Sequence, residues 1–268
     1  MGNFNLDTDE QKEWYSISTN RSSEHLGDCL ELMPLIADES IDMILCDLPY
    51  GTTACKWDTI IPFDKLWKEY ERVLKPNGAI VLTASQPFTS ALIMSNINWF
   101  KYELIWDKVK TSQPHLSKIK PMQRHENILV FGKGKITYNP IMTEKDKPRK
   151  AGGKRTSKDN EHKLGLKTTE YYLITHSYPD SIFIASNADN TKRQHPTEKP
   201  LKLFMDLIKT YSNENEIILD NTAGVFTTAI ACLETNRKYI VMEKEKEYYN
   251  KGLKRILEWE REQKTKLF

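Results

Sequence analysis

Three short apolar runs in this sequence each end in a carboxylate residue, and this repeated feature limits the fold more than any other. The runs end at Asp47, Asp220 and Glu243, and turn-forming segments follow the first two, Leu48-Pro49-Tyr50-Gly51 and Asn221-Thr222-Ala223-Gly224. Buried parallel strands have this length and apolar character, and ligands bind beyond the carboxyl ends of such strands. We therefore expect three acids in one crevice, unless each acid only caps the helix that follows it.

Amphipathic segments alternate with apolar runs over most of the chain. The i, i+3 and i+4 spacing of apolar residues predicts helices at residues 29–36, 63–74, 87–94, 202–211, 227–234 and 248–264. Short apolar runs predict strands at residues 41–46, 79–83, 102–106, 127–131, 216–219 and 238–242. Pro76-Asn77-Gly78 is expected to end the second helix. Strands that alternate with helices are typical of an α/β domain with a parallel sheet.

The composition excludes several classes of protein. With 9 Phe, 12 Tyr and 6 Trp, the chain is too aromatic to be disordered. Its apolar runs stay far below the roughly 18 residues that a membrane span needs, and residues 1–13 lack the features of a signal peptide. The four cysteines form no C-x-x-C pair, so we expect no metal site and reduced thiols in a cytoplasm.

The middle of the chain differs from the rest, because residues 132–181 show little periodicity. The segment from Lys133 to Lys167 contains 11 basic and 4 acidic residues, a local charge of +7, although the whole chain carries only +2. A long stretch without regular structure inside a compact domain is usually functional or mobile. The charge could neutralise the phosphates of a nucleic acid, or the segment could simply be a solvated loop.

The turn after Asp220 is built from small residues and resembles a ligand-binding loop. It contains neither the G-x-G-x-x-G pattern of dinucleotide sites nor the pattern of a P-loop. Gly224 would let a ligand approach the backbone closely, and Glu243, about 20 residues further on, is placed to bind the two hydroxyls of a ribose. These features indicate a nucleoside-containing cofactor that is held without phosphate-binding machinery.

Several motifs resemble those of S-adenosylmethionine-dependent amino methyltransferases that act on DNA. Asp47-Leu48-Pro49-Tyr50 resembles their Asp-Pro-Pro-Tyr signature, and Asp220 to Thr228 resembles their cofactor loop. The motif order is the permuted one of the beta class, with the catalytic motif first. Further similar segments are Leu26-Gly27-Asp28-Cys29, His125-Glu126-Asn127-Ile128-Leu129-Val130-Phe131, His195-Pro196-Thr197-Glu198-Lys199-Pro200 and Arg237-Lys238-Tyr239-Ile240-Val241-Met242-Glu243.

This resemblance implies a Rossmann-like methyltransferase sheet, mostly parallel with helices on both faces, and a basic target-recognition insertion. It implies a catalytic and cofactor-binding domain at residues 25–131 and 193–268, interrupted by the insertion at 132–192. The implied cofactor, S-adenosylmethionine, would be bound by Asp28, Cys29, Asp47, His195, Thr197, Lys199, Asp220, Thr222, Ala223, Gly224, Thr227 and Glu243. The implied DNA-binding residues are Lys147, Arg149, Lys150, Lys154, Arg155 and Lys158.

The chemistry of amine methylation assigns roles to the first motif. The carboxylate of Asp47 and the carbonyl of Leu48 would accept the two N–H bonds of an exocyclic amine and direct its lone pair toward the methyl donor. Pro49 would stiffen the loop, and Tyr50 would stack on a base extruded from double-stranded DNA. In the family, Asp at the first position goes mostly with adenine N6 and Ser with cytosine N4. We therefore expect adenine, with cytosine as the alternative.

The cofactor loop departs from the family pattern in ways that leave other functions open. Asn221, Thr222, Val225 and Phe226 stand where Pro, an aromatic residue, Ser and Gly are common. Phe226 would be strained at positive φ, or would crowd the methionine part of the cofactor. The altered loop favours, as an alternative, a DNA-binding module with a decayed cofactor site. A further alternative is an amino methyltransferase of RNA or protein, whose motif usually opens with Asn rather than Asp.

The resemblance also carries expectations about partners and location. Members of the class are often dimers, so a homodimer is the expected assembly. Some work beside a cognate restriction enzyme, which would be a second partner. The expected location is the cytoplasm of a bacterial or phage-infected cell, in association with the nucleoid.

Overall fold

The computed structural model describes residues 17–52, 58–112, 114, 117–151, 172–186 and 198–266. The chain forms two compact units. The larger unit comprises Met1–Asn139 and Ser181–Phe268, and the smaller one comprises Pro140–Asp180. No helix among the described residues is long and apolar enough to cross a lipid bilayer.

The described residues form ten strands and six α-helices. The strands are β1 (Ser23–Leu26), β2 (Ile41–Asp47), β3 (Leu74–Ala84), β4 (Phe100–Ser112), β5 (Gln123–Phe131), β6 (Thr143–Ala151), β7 (Tyr172–Ser177), β8 (Ile182–Ile184), β9 (Ile217–Asp220) and β10 (Lys238–Glu243). The helices are α1 (Cys29–Leu32), α2 (Phe63–Val73), α3 (Phe88–Ser95), α4 (Leu201–Tyr211), α5 (Thr227–Glu234) and α6 (Lys246–Lys266). A 3-10 helix, Met33–Leu35, follows α1.

The larger unit is built on one eight-stranded sheet in the order β1-β10-β9-β2-β3-β5-β4-β8. The five strands from β1 to β3 in this order are parallel, β5 is antiparallel to both β3 and β4, and β8 pairs with β4 in parallel. The predicted mostly parallel α/β sheet is therefore confirmed.

Both faces of the sheet are buried under helices, as the sequence predicts. Alternate residues of β2 point to opposite faces. Ile44 and Cys46 pack in one core with residues of α2 and α3, whereas Met43 and Leu45 pack in a second core with residues of α4 and α5. The central strands are mostly apolar because neither of their faces meets water, although β2 also contains the buried Asp42.

Several details of the larger unit differ from the sequence prediction, among them the short strand β8, which was not predicted. The helix predicted at 29–36 is an α-helix only to Leu32, because Pro34 lacks an N–H group and begins a 3-10 turn. Pro76-Asn77-Gly78 does not end the next helix, since α2 ends at Val73 and this tripeptide lies in a bulge of β3. The polar strand β1 was missed because it is half-exposed and pairs only with β10.

The smaller unit contains the antiparallel pair of β6 and β7. The sequence predicted no regular structure here, which is wrong for these two strands. The polar side chains of β6 leave no alternation of apolar and polar residues to read, since most of β6 is exposed on both faces, and β7 is only six residues long. Lys147, Arg149 and Lys150 lie exposed on β6, whereas Lys154, Arg155 and Lys158 lie outside the described residues.

Candidate active site

The carboxyl ends of β2, β9 and β10 open into one cavity of about 580 Å³. Asp47, Asp220 and Glu243 end these three strands and all line this cavity. The three strands are neighbours in the sheet, in the order β10-β9-β2. Because parallel strands place their carboxyl ends at one edge, residues that are far apart in the sequence meet in a single site.

Asp47 lies at the centre of a hydrogen-bond network. Its Oδ1 accepts hydrogen bonds from the hydroxyls of Tyr50, at 2.8 Å, and Thr83, at 2.5 Å. Its Oδ2 accepts one from Lys199 Nζ at 2.7 Å. The carboxylate is thus fixed in orientation by three donors, which is how a site residue is held ready for a ligand. Leu48 and Pro49 follow in the loop and also line the cavity.

The ring of Tyr50 forms part of the cavity wall. Phe88 stacks on it with a centroid distance of 5.2 Å and an interplanar angle of 24°. A planar ligand could therefore stack only on the opposite face of Tyr50. Burial, together with the charges of Asp47 and Glu126, raises the pKa of the Tyr50 hydroxyl well above its ordinary value. The hydroxyl therefore remains a donor to Asp47.

A second group of charged residues lies beside Asp47. Lys199 Nζ is 3.4 Å from Glu126 Oε2, and Lys108 Nζ donates to Glu126 Oε1 at 3.2 Å. Burial would lower the pKa of Lys199, but the carboxylates of Asp47 and Glu126 outweigh burial and raise it. Lys199 is therefore a buried cation. The sequence assigned it to the cofactor, and that role stays a prediction, since here the ammonium is bound by carboxylates of the chain.

Sequence reasoning did not identify Lys108 or Glu126 as site residues. Glu126 was noted only as part of a strand, and nothing around Lys108 indicated a buried side chain. Lys108 points inward because β4 bulges between Asp107 and Ser112. Val109, in this bulge, has φ 62° and donates its N–H to Asp107 Oδ1 at 2.8 Å. Positive φ is rare for a β-branched residue, and bulges next to active sites often redirect a side chain.

The loop after Asp220 is organised by that carboxylate. Its Oδ1 accepts from the Thr222 amide at 3.1 Å, and its Oδ2 accepts from the Thr228 hydroxyl. Burial raises the pKa of Asp220 to about 7, although both hydrogen bonds oppose the change. Thr222 in turn donates its hydroxyl to the carbonyl of Asp47 at 3.1 Å. The loop after β9 is therefore joined to the loop after β2.

Glu243 receives backbone donors from two sides of the cavity. Its Oε2 accepts from the Gly224 amide at 2.7 Å, and its Oε1 accepts from the Glu245 amide at 2.7 Å. Gly224 has φ 53°, and no atom lies within 4 Å of the position that a Cβ would occupy. The backbone at Gly224 is therefore open to close approach. Each oxygen of Glu243 keeps a second lone pair for a ligand hydroxyl.

Phe226 has a positive φ, but its side chain does not crowd the cavity. Its φ is 64° and its side chain is fully buried. The ring packs edge-on against Tyr249 and lies over Gly252 of α6, where an added Cβ would be 2.4 Å from the ring. Of the two possibilities, the structure has the positive φ, and the ring does not line the cavity because it is directed into the core.

Asn221 anchors the same loop to the sheet. Its Oδ1 accepts hydrogen bonds from the Tyr70 hydroxyl at 2.6 Å and from Cys46 Sγ at 2.9 Å. Cys29, Cys46 and Cys232 are buried free thiols. Asn at this position therefore does not loosen the loop, since it bonds to residues of β2 and α2.

Most of the predicted site residues line this one cavity. They are Asp28, Cys29, Asp47, Leu48, Pro49, Tyr50, Lys199, Asp220, Thr222, Ala223, Gly224, Thr227 and Glu243. Asp28 also caps α1 by accepting the Leu30 amide at 2.9 Å. His195 and Thr197 lie outside the described residues. The described residues form no group of three or more His, Cys, Asp or Glu suited to a metal ion.

Relatives of known activity are similar to this chain over most of its length. The type II methyltransferase M.HinfI of Haemophilus influenzae is 26% identical over 261 residues, covering 87% of this chain and 67% of that protein. The DNA adenine methyltransferase YhdJ of Escherichia coli K12 is 26% identical over 246 residues, covering 86% of this chain and 81% of that protein.

Solved structures share the fold. The cytosine-N4-specific PvuII DNA methyltransferase superposes with a TM-score of 0.63 at 17% identity, covering 89% of this chain and 86% of that one. The M1.HpyAVI–SAM complex gives a TM-score of 0.58 at 23% identity, covering 87% and 98% of the two chains. The N6/N4 methyltransferase family model, described as DNA methylase, matches residues 41–254. The chain therefore belongs to the DNA methylase family.

Proposed function

We propose that this protein transfers a methyl group from S-adenosylmethionine to N6 of an adenine that is flipped out of double-stranded DNA. The observation that carries the proposal is the position of Asp47. Its carboxylate ends β2, is oriented by three donors, and shares a cavity with the Leu48 backbone and the Tyr50 ring. A flipped base stacked on the free face of Tyr50 would bring its exocyclic amine to this carboxylate.

The residues present fit S-adenosylmethionine. Glu243 offers two carboxylate oxygens to ribose hydroxyls, and Gly224 leaves open space for close backbone approach. Phe226 is directed away from the cavity, so the altered loop does not obstruct it. The relative M1.HpyAVI forms a SAM complex. When bound, the cofactor supplies a methyl group already activated on a sulfonium, so no nucleophile of the protein is required.

The protein contributes binding and orientation to the reaction. Asp47 and the Leu48 carbonyl accept the N–H bonds of the amine, which directs the nitrogen lone pair toward the donor side of the cavity. Asp47 then accepts the proton that the methylated nitrogen releases. Holding amine and donor in line supplies most of the rate enhancement. Thr222 links the two loops through the Asp47 carbonyl and so fixes their relative position.

Adenine is the proposed base because the motif opens with Asp47, and DNA adenine methyltransferase YhdJ is among the similar proteins. The proposed DNA contacts include Lys147, Arg149 and Lys150, which are exposed on β6, within a target-recognition insertion at residues 132–192. A homodimer and a cognate restriction enzyme remain proposals that rest on the family resemblance alone.

Genome sequencing tests the proposal directly. The protein is expressed in a bacterial host without DNA methylation, and the genome is sequenced for modified bases. We expect N6-methyladenine in one sequence context and none with the Asp47→Ala variant. Calorimetry should show that this variant still binds S-adenosylmethionine. N4-methylcytosine would contradict the choice of base, and unmodified DNA with no cofactor binding by the wild type would indicate a decayed site.

A further inference from the structure

Lys199 lies beside the two side chains, Asp47 and Tyr50, to which the proposed function assigns the target base. Its Nζ lies 2.7 Å from Asp47 Oδ2 and 5.7 Å from the centroid of the Tyr50 ring. Phe88 covers the other face of that ring. A base stacked on Tyr50 with its amine on Asp47 would therefore meet the ammonium group of Lys199.

Asp47 has little capacity for a further donor while Lys199 is bound to it. A carboxylate oxygen has two lone-pair directions. Both directions of Oδ1 are used, by Tyr50 at 2.8 Å and Thr83 at 2.5 Å, and one direction of Oδ2 is used by Lys199. The amine of the base can therefore bind only at Oδ2, directly beside the ammonium of Lys199, where the two donors crowd each other.

Glu126 provides a second acceptor for the ammonium group of Lys199. Its Oε2 is buried and forms an ion pair with Lys199 Nζ at 3.4 Å, but it accepts no well-aligned hydrogen bond from the residues that the structure describes. Its other oxygen, Oε1, is held by Lys108 at 3.2 Å. A buried acceptor without a hydrogen bond is costly, so a shift of Nζ toward Glu126 gains a bond there.

We propose that Glu126 is a positioning residue that receives Lys199 when the target base binds Asp47. In the protein without DNA, Nζ is bound to Asp47 Oδ2. When the exocyclic amine reaches Asp47, Nζ moves to Glu126 Oε2, and Lys108 keeps Glu126 in place through Oε1. No covalent bond forms or breaks in this step, and Lys199 stays protonated. The inference rests on the proposed function, because the amine that displaces Lys199 belongs to the methylated base.

The test is a double-mutant cycle that compares four proteins: the wild type, Glu126→Gln, Lys199→Met and the double variant. Single-turnover methyl transfer is measured on a duplex that carries the site found by genome sequencing. Glu126→Gln should slow transfer by about tenfold to a hundredfold, because Lys199 is then held on Asp47. The affinities for S-adenosylmethionine and for the duplex should stay within about twofold. In the Lys199→Met background the same change should alter the rate by no more than about twofold.

Two controls separate this role from a structural one. Asp42, a buried carboxylate paired with Lys75 at 2.6 Å near the start of β2, is the matched site. Asp42→Asn should leave the transfer rate within about twofold of the wild type. Glu126→Asp, which keeps the charge, should restore most of the rate. Full activity of Glu126→Gln, or an equal loss in both Lys199 backgrounds, would overturn the inference.

A structure of the wild-type protein gives a test that does not depend on the folding of a variant. The complex with the duplex and sinefungin should place Nζ about 3 Å from Glu126 Oε2, with the base amine on Asp47. A base bound in the cavity with Nζ still on Asp47 would contradict the inference alone. A wild-type protein that methylates no DNA would remove both this inference and the proposed function.

Discussion

The hydroxyl of Thr222 donates a hydrogen bond to the backbone carbonyl of Asp47 at 3.1 Å, although the two residues are 175 positions apart in the sequence. Thr222 lies in the loop that follows β9, and Asp47 begins the loop that follows β2. This bond joins the proposed cofactor loop to the proposed catalytic loop. The distance between methyl donor and amine therefore depends in part on one side chain.

Removal of this hydroxyl should slow the reaction without unfolding the protein. Thr222→Val keeps the shape of the side chain but loses a neutral hydrogen bond, which corresponds to about a two- to tenfold lower rate of single-turnover methyl transfer. Thr235→Val is a matched control, because Thr235 is buried and donates to Ala231 at 2.6 Å beyond the cavity lining. Equal rates for Thr222→Val and Thr235→Val would argue against a link between the loops.

The effects of substitutions at Phe226 and Gly252 on the free energy of unfolding should depend on each other. Because a Cβ at Gly252 would lie 2.4 Å from the Phe226 ring, Gly252→Ala should destabilise the protein by about 1–3 kcal/mol through overpacking. In a Phe226→Gly background the same change should be neutral or stabilising, since alanine favours a helix over glycine by about 1 kcal/mol. Urea unfolding of the four proteins measures both values. A constant cost of Gly252→Ala in both backgrounds would refute the dependence.

The buried carboxyl of Asp220 should make stability fall as pH rises. Burial raises its pKa from the ordinary 3.8 to about 7. Between these values the folded protein binds more protons than the unfolded chain, so the stability present at low pH is lost as pH approaches 7. Asp220→Asn removes this dependence.

The comparison of wild type and Asp220→Asn is made on cofactor-free protein by urea unfolding at pH 5 and pH 8. The free energy of unfolding of the variant should exceed that of the wild type more at pH 8 than at pH 5, by at most about 3 kcal/mol. A difference that does not change between the two pH values would show that Asp220 titrates near its ordinary pKa.

The exposed basic residues of β6 should contribute to DNA affinity through phosphates. Arg149→Ala combined with Lys150→Ala should weaken binding of a duplex and reduce the slope of log affinity against log salt by about 2. The same charge change at Lys65 and Lys68, which are exposed on α2, is the control. Fluorescence anisotropy at several salt concentrations measures both. Identical slopes for the two double variants would count against the DNA role of β6.

The sequence predicted the parts of the site that lie at strand ends. Asp47, Asp220 and Glu243 could be found because a buried strand reads as an apolar run and its carboxyl end reads as the first acid after it. The pairing of Lys199 with Asp47 and Glu126 could not be found in this way. It brings together Asp47 of β2, Glu126 of β5 and a residue just before α4, and such a long-range contact leaves no periodic pattern in the sequence.

The direction of the Phe226 side chain could not be predicted from the sequence either. The residue type predicted strain at positive φ, and the structure has that φ. The direction of the ring, however, is decided by the absence of a side chain at Gly252, 26 positions later in another helix. A departure from a motif is therefore interpretable only when the residue that accommodates it is known.

The order of strands in the sheet determines when each strand can pair with its neighbours during synthesis. β2 lies between β3, which follows it closely in the sequence, and β9, which the ribosome adds about 170 residues later. At about 5–20 residues per second, β2 exists without β9 for on the order of ten seconds or more. Until then one edge of β2 is open to pairing with other chains. In the cell, this open edge of β2 must therefore be protected from pairing with other chains until β9 has been synthesised.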